Sequence, residues 1–529
     1  MTGKNGSETV FLRPWGGVAG AAIIVAVGFL GSRLLGVVRT MAIADAFGTS
    51  PDLDAYWVAF RLPDFIFLVL AGATMGSAFI PTFARYAAQK DEDEAWRLAS
   101  SVLNLVAALT VALAAAAAIL APWLVPLMAP GLEEGLQDEA VELTRIMLVS
   151  PVLFAISGML TGILNARQHF FLAALAPMFY NLSIIFGAVF LSEPWGVRGL
   201  AAGVVLGSGL HLLVQVPGLF GVGMRYRLEA RWRHPGVQEV ARLMLPRMAG
   251  LAAGQVNFVV AIFFASRLGE GSISALNYAW LLAMMPLALF GVAIATAVFP
   301  TMAQQAATDS LDRMQSTLYA SLRYILFLVI PASVGLILLR EPLVSLLLER
   351  GEFTARSASI TSSALLFYSL GLFAHSGVEI LSRGFYALRD TRTPVAMAVI
   401  SMVLNLLFSM ALVGPMEHDG LALAMSLATI VEAFLLFVVL QRRLAGPEAG
   451  GLPSFFLRTV AATALMAAVV ALFMAVEGAA DPLGAHTVWE ALVKVAGGGV
   501  LGGGTFFLAA LLLRCEEIRA LSRRLGLVR

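Results

Sequence analysis

Two arginines, Arg33 and Arg39, lie inside an apolar stretch near the start of the chain, with Ser32 and Thr40 beside them. A guanidinium is planar, always charged and shaped to grip two oxygens at once, so two of them in a low-dielectric setting suit an anionic, phosphorylated group. Six helical residues place them ~9 Å apart in height and about 120° apart around the axis, which lets both line one broad cleft. The next apolar stretch carries Asp54, Arg61 and Asp64. Arg61 and Asp64 are three residues apart on one face, where they either neutralise each other or join the same polar site. Farther on, His375, Glu379 and Arg383 recur at four-residue spacing. That face suits proton or cation coupling, and equally an internal Glu379–Arg383 ion pair.

Other chemistries lack their residues. The single cysteine, Cys515, excludes an intrachain disulfide and a Cys-ligated metal. The six histidines are scattered without zinc-type spacing. No Ser-His-Asp set, nucleotide loop or catalytic carboxylate pair can be assembled. Gly497–Gly499 and Gly502–Gly504 are not followed by Lys-Ser/Thr, so they read as a surface for close helix approach rather than a phosphate cradle. The expectation is therefore a chain that is not an enzyme, with no metal site and no cofactor, leaving room for coupling to a monovalent cation or to the membrane potential.

The elements that must position these residues follow from composition. Of 529 residues, 59% are hydrophobic and 13% charged, with a mean hydropathy of +0.85. A soluble protein carries ~25% charged residues, and surface-to-volume scaling lets no soluble core absorb so much apolar sequence. A soluble enzyme, a nucleic-acid-binding domain and a disordered scaffold are excluded. The chain reads as an all-α polytopic membrane protein. A crossing helix needs ~20 apolar residues, and apolar runs delimited by charge, Pro and Gly give fourteen spans, near residues 17–46, 53–88, 95–122, 138–165, 171–192, 198–222, 237–268, 273–306, 312–339, 355–387, 392–413, 420–442, 453–477 and 487–514. The first run is too long for a signal-peptide core and is expected to be retained. The runs do not alternate with a period of two, which excludes a transmembrane barrel.

Arginine distribution sets the orientation. Basic residues crowd the loops holding Arg225–Arg233, Arg389/Arg392, Arg442/Arg443 and Arg519–Arg524, whereas the opposite loops carry acids such as Asp52/Asp54, Glu133/Glu134 and Glu417/Asp419. Both termini are expected in the cytoplasm. An internal repeat is also legible. Ser77–Gln89 resembles Thr296–Thr308, and Gly162–Pro177 resembles Gly384–Val399, both offset by about 220 residues and an even number of spans. Two six-helix lobes in a parallel pseudo-two-fold repeat are therefore expected: residues 1–222 (spans 1–6) and 223–443 (spans 7–12). Spans 13 and 14 with the tail (444–529) lie outside the repeat. His211 and Glu432 occupy matching places in the two lobes, as interhelical hydrogen-bonding groups first and relays second.

The motifs SRLLGVVR (Ser32–Arg39), DAYWVAFRLPD (Asp54–Asp64), SAFIPTF (Ser77–Phe83), GFYALRDTRTPV (Gly384–Val395) and the run from Gly414 to Leu423 resemble, in order and over essentially the whole chain, the MurJ (MviN) family of lipid II flippases in the MOP transporter superfamily. The resemblance implies fourteen helices in two lobes, with spans 13 and 14 forming a groove for a polyprenyl tail. It further implies alternating access that carries a disaccharide-pentapeptide headgroup outward, with cavity arginines on its pyrophosphate. Ser32, Arg33, Arg39 and Asp54 match positions important in the family, and Arg61 joins them as a substrate-binding candidate. Asp64, His375, Glu379 and Arg383 are candidates for coupling or gating. The partners implied are the lipid-linked substrate, membrane lipids and cell-wall synthesis enzymes, with no nucleic acid, in a bacterial inner membrane. The chain departs from the family where arginines are expected, at Phe67/Leu68 and Leu281, and where acids are expected, at Gly72 and Ala261. Two further expectations stay open: a paralogue moving another polyprenyl-linked saccharide, and a non-transporting membrane scaffold for cell-wall enzymes.

Overall fold

The computed structural model describes residues 18–74, 78–88, 92–444, 452–480 and 488–518. Among them every regular element is helical and no strand occurs. This is the outcome expected where lipid offers backbone groups no partner, so each segment must satisfy its own hydrogen bonds. The helices in chain order are α1 (Val18–Phe47), α2 (Pro51–Thr74), α3 (Ile80–Ala88), α4 (Glu92–Met128), α5 (Glu134–Met147), α6 (Val149–Ala166), α7 (Phe170–Phe186), α8 (Ser192–Trp195), α9 (Val197–Leu213), α10 (Val216–Gly221), α11 (Pro235–Ala265), α12 (Ser272–Ala283), α13 (Val292–Ala307), α14 (Leu311–Leu348), α15 (Ala355–Ala387), α16 (Arg392–Leu444), α17 (Leu452–Ala480) and α18 (Val488–Leu512). Eleven stretches among the described residues are long and apolar enough to cross a membrane. One of them, α16, breaks at Glu417 into two helical halves, and α2 and α11, 24 and 31 residues long, stand where the remaining two of the fourteen expected spans fall. Large apolar side chains such as Val27, Leu34, Trp123, Leu127, Leu472 and Val500 remain on the outside, as suits a lipid-facing surface.

The chain divides into two compact units, one of Met1–Phe47 and Pro51–Gln255, the other of Gly48–Ser50 and Val256–Arg529. The division falls inside α11 rather than in the loop before it, and the contacts explain why. Val237 and Val240 of α11 are buried with Phe83, Trp96 and Ile163 of the first unit, and Met244 packs with Ile66 and Leu70. Glu239 also forms an ion pair with Arg85. In the second unit a continuous core runs from α13 through α16 and takes in α17 and α18, with Met466, Val470, Phe506 and Ala510 buried beside Phe327 and Leu339. The glycine-rich run of α18 splits by face. A Cβ on Gly498 would lie 2.8 Å from Leu339 and one on Gly502 2.9 Å from Val470, whereas Gly499, Gly503 and Gly504 face open space. Half of the run thus lets α18 approach its neighbours closely.

The internal repeat is written into the turns. Positive φ occurs at Gln168 (61°) and Arg389 (59°), and at Gly196 (55°) and Glu417 (52°), and in each pair the second residue stands 221 positions after the first. Gly196 and Glu417 share nearly the same backbone conformation, with ψ −140° and −130°. Three residues on, Gly199 and Gly420 press against the carbonyls of Leu191 and Leu412, where a Cβ would lie 2.2 and 2.4 Å from oxygen. The same reversal therefore joins α8 to α9 in one unit and the two halves of α16 in the other.

Candidate functional site

In the first unit, α1 lies along α7, and Gly28 permits the approach: a Cβ there would meet that of Ala174 at 2.6 Å. Asn181 of α7 donates through Nδ2 to the Ser32 carbonyl at 3.2 Å and to Ser32 Oγ at 3.4 Å, which fixes the turn that carries the arginines. Arg39 is half-buried. Its charge reaches the hydroxyls of Tyr56 on α2 and Tyr180 on α7. Tyr180 also feels Asp64, and Asp64 in turn feels Arg61 and accepts from Gln255 Nε2 at 3.4 Å. Arg39, Arg61 and Asp64, from two separate motifs, thus lie within electrostatic range of Tyr180 or of one another, while Ser32 is tied separately to Asn181. Asp54 is buried in the first turn of α2, where an acid is favoured by the helix dipole. Arg33 is exposed instead and stacks over Phe29 at 5.0 Å. Chemically the unit offers a guanidinium and phenolic hydroxyls held in apolar surroundings, a donor set for a polyanionic oxygen cluster.

Asn181, Gln255, Tyr56 and Tyr180 are the participants that reading by charge misses. Their only signal in sequence is a neutral polar or phenolic group within an otherwise apolar span.

His375, Glu379 and Arg383 do not form one cluster in the second unit. Arg383 Nη1 pairs with the Glu379 carboxylate and also donates to the Glu379 carbonyl at 3.1 Å, while Nη2 donates to Thr296 at 3.1 Å. His375 turns elsewhere, to Thr429 Oγ1 at 3.4 Å and edge-on to Trp280 at 5.3 Å. Glu379 and Arg383 form the internal ion pair that their spacing allows. His211 likewise sits in a packing network, with Nδ1 2.5 Å from Ser157 Oγ, which also accepts from Gln215 Nε2 at 2.7 Å. A neutral pair, Asn405 Nδ2 donating to Asn257 Oδ1 at 3.1 Å, adds a further polar contact in this unit. No group of three or more His, Cys, Asp or Glu among the described residues is placed to hold a metal ion.

An aromatic contact occupies one of the places where the resemblance implies arginine, and another lies beside the second. Phe67 packs on Phe154 at 4.9 Å, and Phe154 meets Tyr180 at 5.0 Å and His211 at 5.2 Å. Trp280, next to Leu281, meets Phe258 at 5.4 Å and Tyr368 at 5.3 Å. Gly72 lies among residues whose side chains are outside the described set.

The motif Gly384–Val395 has a structural role. Asp390 accepts through Oδ1 from the backbone N–H of Arg392 (2.9 Å) and Thr393 (3.0 Å) at the start of α16, and pairs with Arg443 at its end. Desolvation raises its pKa, but the bonds from Thr393 and Arg443 outweigh that and hold the carboxyl down at about 2.

Fold and site together define a multi-pass membrane protein of the secondary-transporter type, with repeated helical lobes and ionisable groups kept at membrane depth. The family can be named as well. The sequence model of the lipid II flippase MurJ family matches residues 43–479, and the chain belongs to that family. It is 32% identical over 458 residues to the lipid II flippase MurJ of Burkholderia cenocepacia, covering 85% of this chain and 89% of that one. It is also 32% identical over 431 residues to the probable lipid II flippase MurJ of Vibrio cholerae, covering 79% and 82%. A solved lipid II flippase MurJ in an inward closed conformation superposes with a TM-score of 0.77 at 25% identity, over 93% of this chain and 99% of that one. An inward-facing multidrug-resistance MATE transporter of the MOP superfamily, at 17% identity and a TM-score of 0.66 over 80% and 98%, shares the fold.

Proposed function

We propose that this chain carries a polyprenyl-pyrophosphate-linked glycan, lipid II in the first place, from the inner to the outer leaflet of the bacterial cytoplasmic membrane by alternating access, for peptidoglycan synthesis. Family membership across residues 43–479 carries the reading, and the half-buried Arg39, within electrostatic range of Tyr56 and Tyr180, supports it. Arg33 and Arg39 hold the pyrophosphate, with Ser32 and Arg61 as further contacts and Asp54 near the outward gate. Asp64, His375, Glu379 and Arg383 serve coupling or gating. The helices α17 and α18 guide the tail. Flipping makes and breaks no covalent bond, so no catalytic residue is assigned. The arginine-rich loops support a cytoplasmic position for both termini, and the enzymes that make and consume the precursor are the partners implied.

The test replaces Arg39 in a cell that depends on this chain as its flippase. Losing a charge-assisted contact worth about 1.5–3 kcal/mol lowers transport roughly ten- to a hundred-fold, so Arg39→Ala fails to sustain growth at a normal membrane level. Arg39→Lys, which keeps charge but loses the bidentate fork, rescues in part. Silent replacements would favour the scaffold reading.

The packed aromatic side chain at Phe67 favours a second reading, a paralogue for another polyprenyl-linked saccharide. It predicts that wild-type protein restores transport of that saccharide and not of lipid II. For coupling we propose a monovalent cation gradient or the membrane potential. Collapsing each separately in transporting vesicles should stop uptake in one case only.

A further inference from the structure

Thirteen residues, 222–234, join α10 to α11 as an irregular strap. One side of the strap is tied to the first unit. Asn104 Nδ2 donates to the carbonyls of Arg227 (3.1 Å) and Glu229 (2.8 Å), and the Arg227 N–H donates to Ser100 Oγ at 3.0 Å. Arg227 Nη2 reaches both oxygens of Asp93 at 2.8 Å, and His234 Nε2 lies 2.9 Å from Glu94. The His234 Nδ1 accepts from the Gly236 N–H at 3.1 Å, so Nε2 carries the proton that Glu94 receives. Asp93 and Glu94, at the start of α4, thus face the inner side of the strap, while Glu92 pairs with Arg167.

The outer side is apolar and basic. Leu228 is 89% exposed and Trp232 60%, and Phe220 at the end of α10 is 83% exposed. Tyr226 keeps its ring half-exposed although its hydroxyl donates to Asn104 Oδ1. Arg225, Arg231 and Arg233 are exposed; Arg231 pairs with Glu229 at 2.8 Å, Arg225 reaches Asp93 only at 3.7 Å, and Arg233 stacks over Trp232 at 4.5 Å.

Neither water nor hydrocarbon suits this surface. Exposed Leu and Trp side chains lose about 25 cal/mol for every Å² left in water. Each arginine at the bilayer centre costs roughly 2.5–3.5 kcal/mol. Trp, Tyr and Arg together are stable at the headgroup level, where the ring has an apolar and a polar side. The strap connects consecutive membrane-crossing helices, and its contour of at most about 45 Å keeps it close to the membrane face that both reach. Arg227 answers Asp93 and Arg231 pairs with Glu229 at 2.8 Å, which leaves Arg225 and Arg233 as the positive charge that the strap presents outward, complementary to anionic phospholipid. We propose that residues 225–233 form an interfacial anchor that seats Leu228 and Trp232 in the headgroup layer of an anionic leaflet. The proposal rests on the membrane placement in the functional reading above and is indifferent to which glycan is carried.

The experiment uses full-length protein reconstituted in vesicles without substrate, so a failure of the transport reading leaves it unaffected. Leu228→Cys is labelled with an environment-sensitive fluorophore; Cys515, the native cysteine, is buried, and unsubstituted protein controls for its labelling. In phosphatidylcholine vesicles containing phosphatidylglycerol, the label should shift to the blue and be quenched by lipids with a nitroxide at the headgroup. Acyl-chain nitroxides should quench it less. In the same vesicles, adding Arg225→Gln and Arg233→Gln should lower the anchored population about five-fold per arginine, while pure phosphatidylcholine should show little difference between the two proteins. A label that answers only to aqueous iodide in both compositions overturns the proposal. So does a label shielded solely after cytosolic protein is added, which would make the strap a protein-docking surface.

Discussion

Glu417 holds a backbone conformation, φ 52° and ψ −130°, that residues with a Cβ adopt at a cost of about 1–3 kcal/mol. The first unit places Gly196 at the equivalent turn, with φ 55° and ψ −140°, and the Glu417 side chain is exposed. Glu417→Gly should therefore stabilise the purified protein by about 1 kcal/mol after the added freedom of the unfolded glycine is subtracted. A thermal unfolding midpoint that stays level or falls would show that the turn is not strained. Asp390 gives a prediction of opposite sign. Its loss removes the cap of α16, typically worth ~1 kcal/mol. Because its folded pKa is depressed to about 2 from 3.8, the contribution is fully present above the unfolded value and fades as pH falls through about 2. The midpoint gap between wild type and Asp390→Ala should be constant near neutral pH and close between pH 4 and pH 2. At this scale charge marks residues in the sequence: Arg39, Arg61 and Asp64 stand out, while Asn181, which ties Ser32, and Tyr180, near Arg39 and Asp64, have no charge to advertise.

Helix termini matter most for α17 and α18, which lie outside the repeat. Arg323 on α14 donates through Nε to Glu517 at 2.6 Å and through Nη2 to Glu516 at 2.6 Å, just beyond the end of α18. The guanidinium holds the Glu516 carboxyl below its ordinary range. Arg458 on α17 donates to the Arg514 carbonyl at 3.0 Å, so both helices are clasped at the same end. Arg323→Gln should leave α15 and the apolar core intact while hydrogen exchange accelerates at the ends of α17 and α18. Equal protection in the variant would assign their position to apolar contacts such as Phe327–Phe506 alone. Element existence was legible from apolar run length, since lipid demands about 20 such residues. Boundaries were less so: the 237–268 span begins in sequence as a member of the second lobe, yet its first turns bury Val237 and Val240 in the first unit, a tertiary preference that periodicity does not encode.

The whole molecule is a duplicated helical unit with two added helices, and the duplication is visible at two scales, in matching motifs and in matching turns 221 residues apart. What duplication does not preserve is the polar content of each unit. One places Arg39, Arg61 and Asp64 within electrostatic range of Tyr180 or of one another, whereas the other closes Glu379 on Arg383 and surrounds Trp280 with Phe258, Tyr368 and His375. On the proposed reading anion binding falls to the first unit, so Arg39→Ala should impair transport far more than Arg383→Gln. The central claim is transport of lipid II. Its most direct measurement is the amount of lipid II accessible at the outer leaflet of a cell whose own flippase is depleted and replaced by this chain. The chain should restore outer-leaflet lipid II and growth, and Arg39→Ala, present at the same membrane level, should restore neither. Persistent accumulation of lipid II at the inner leaflet with the wild-type chain correctly inserted would contradict it.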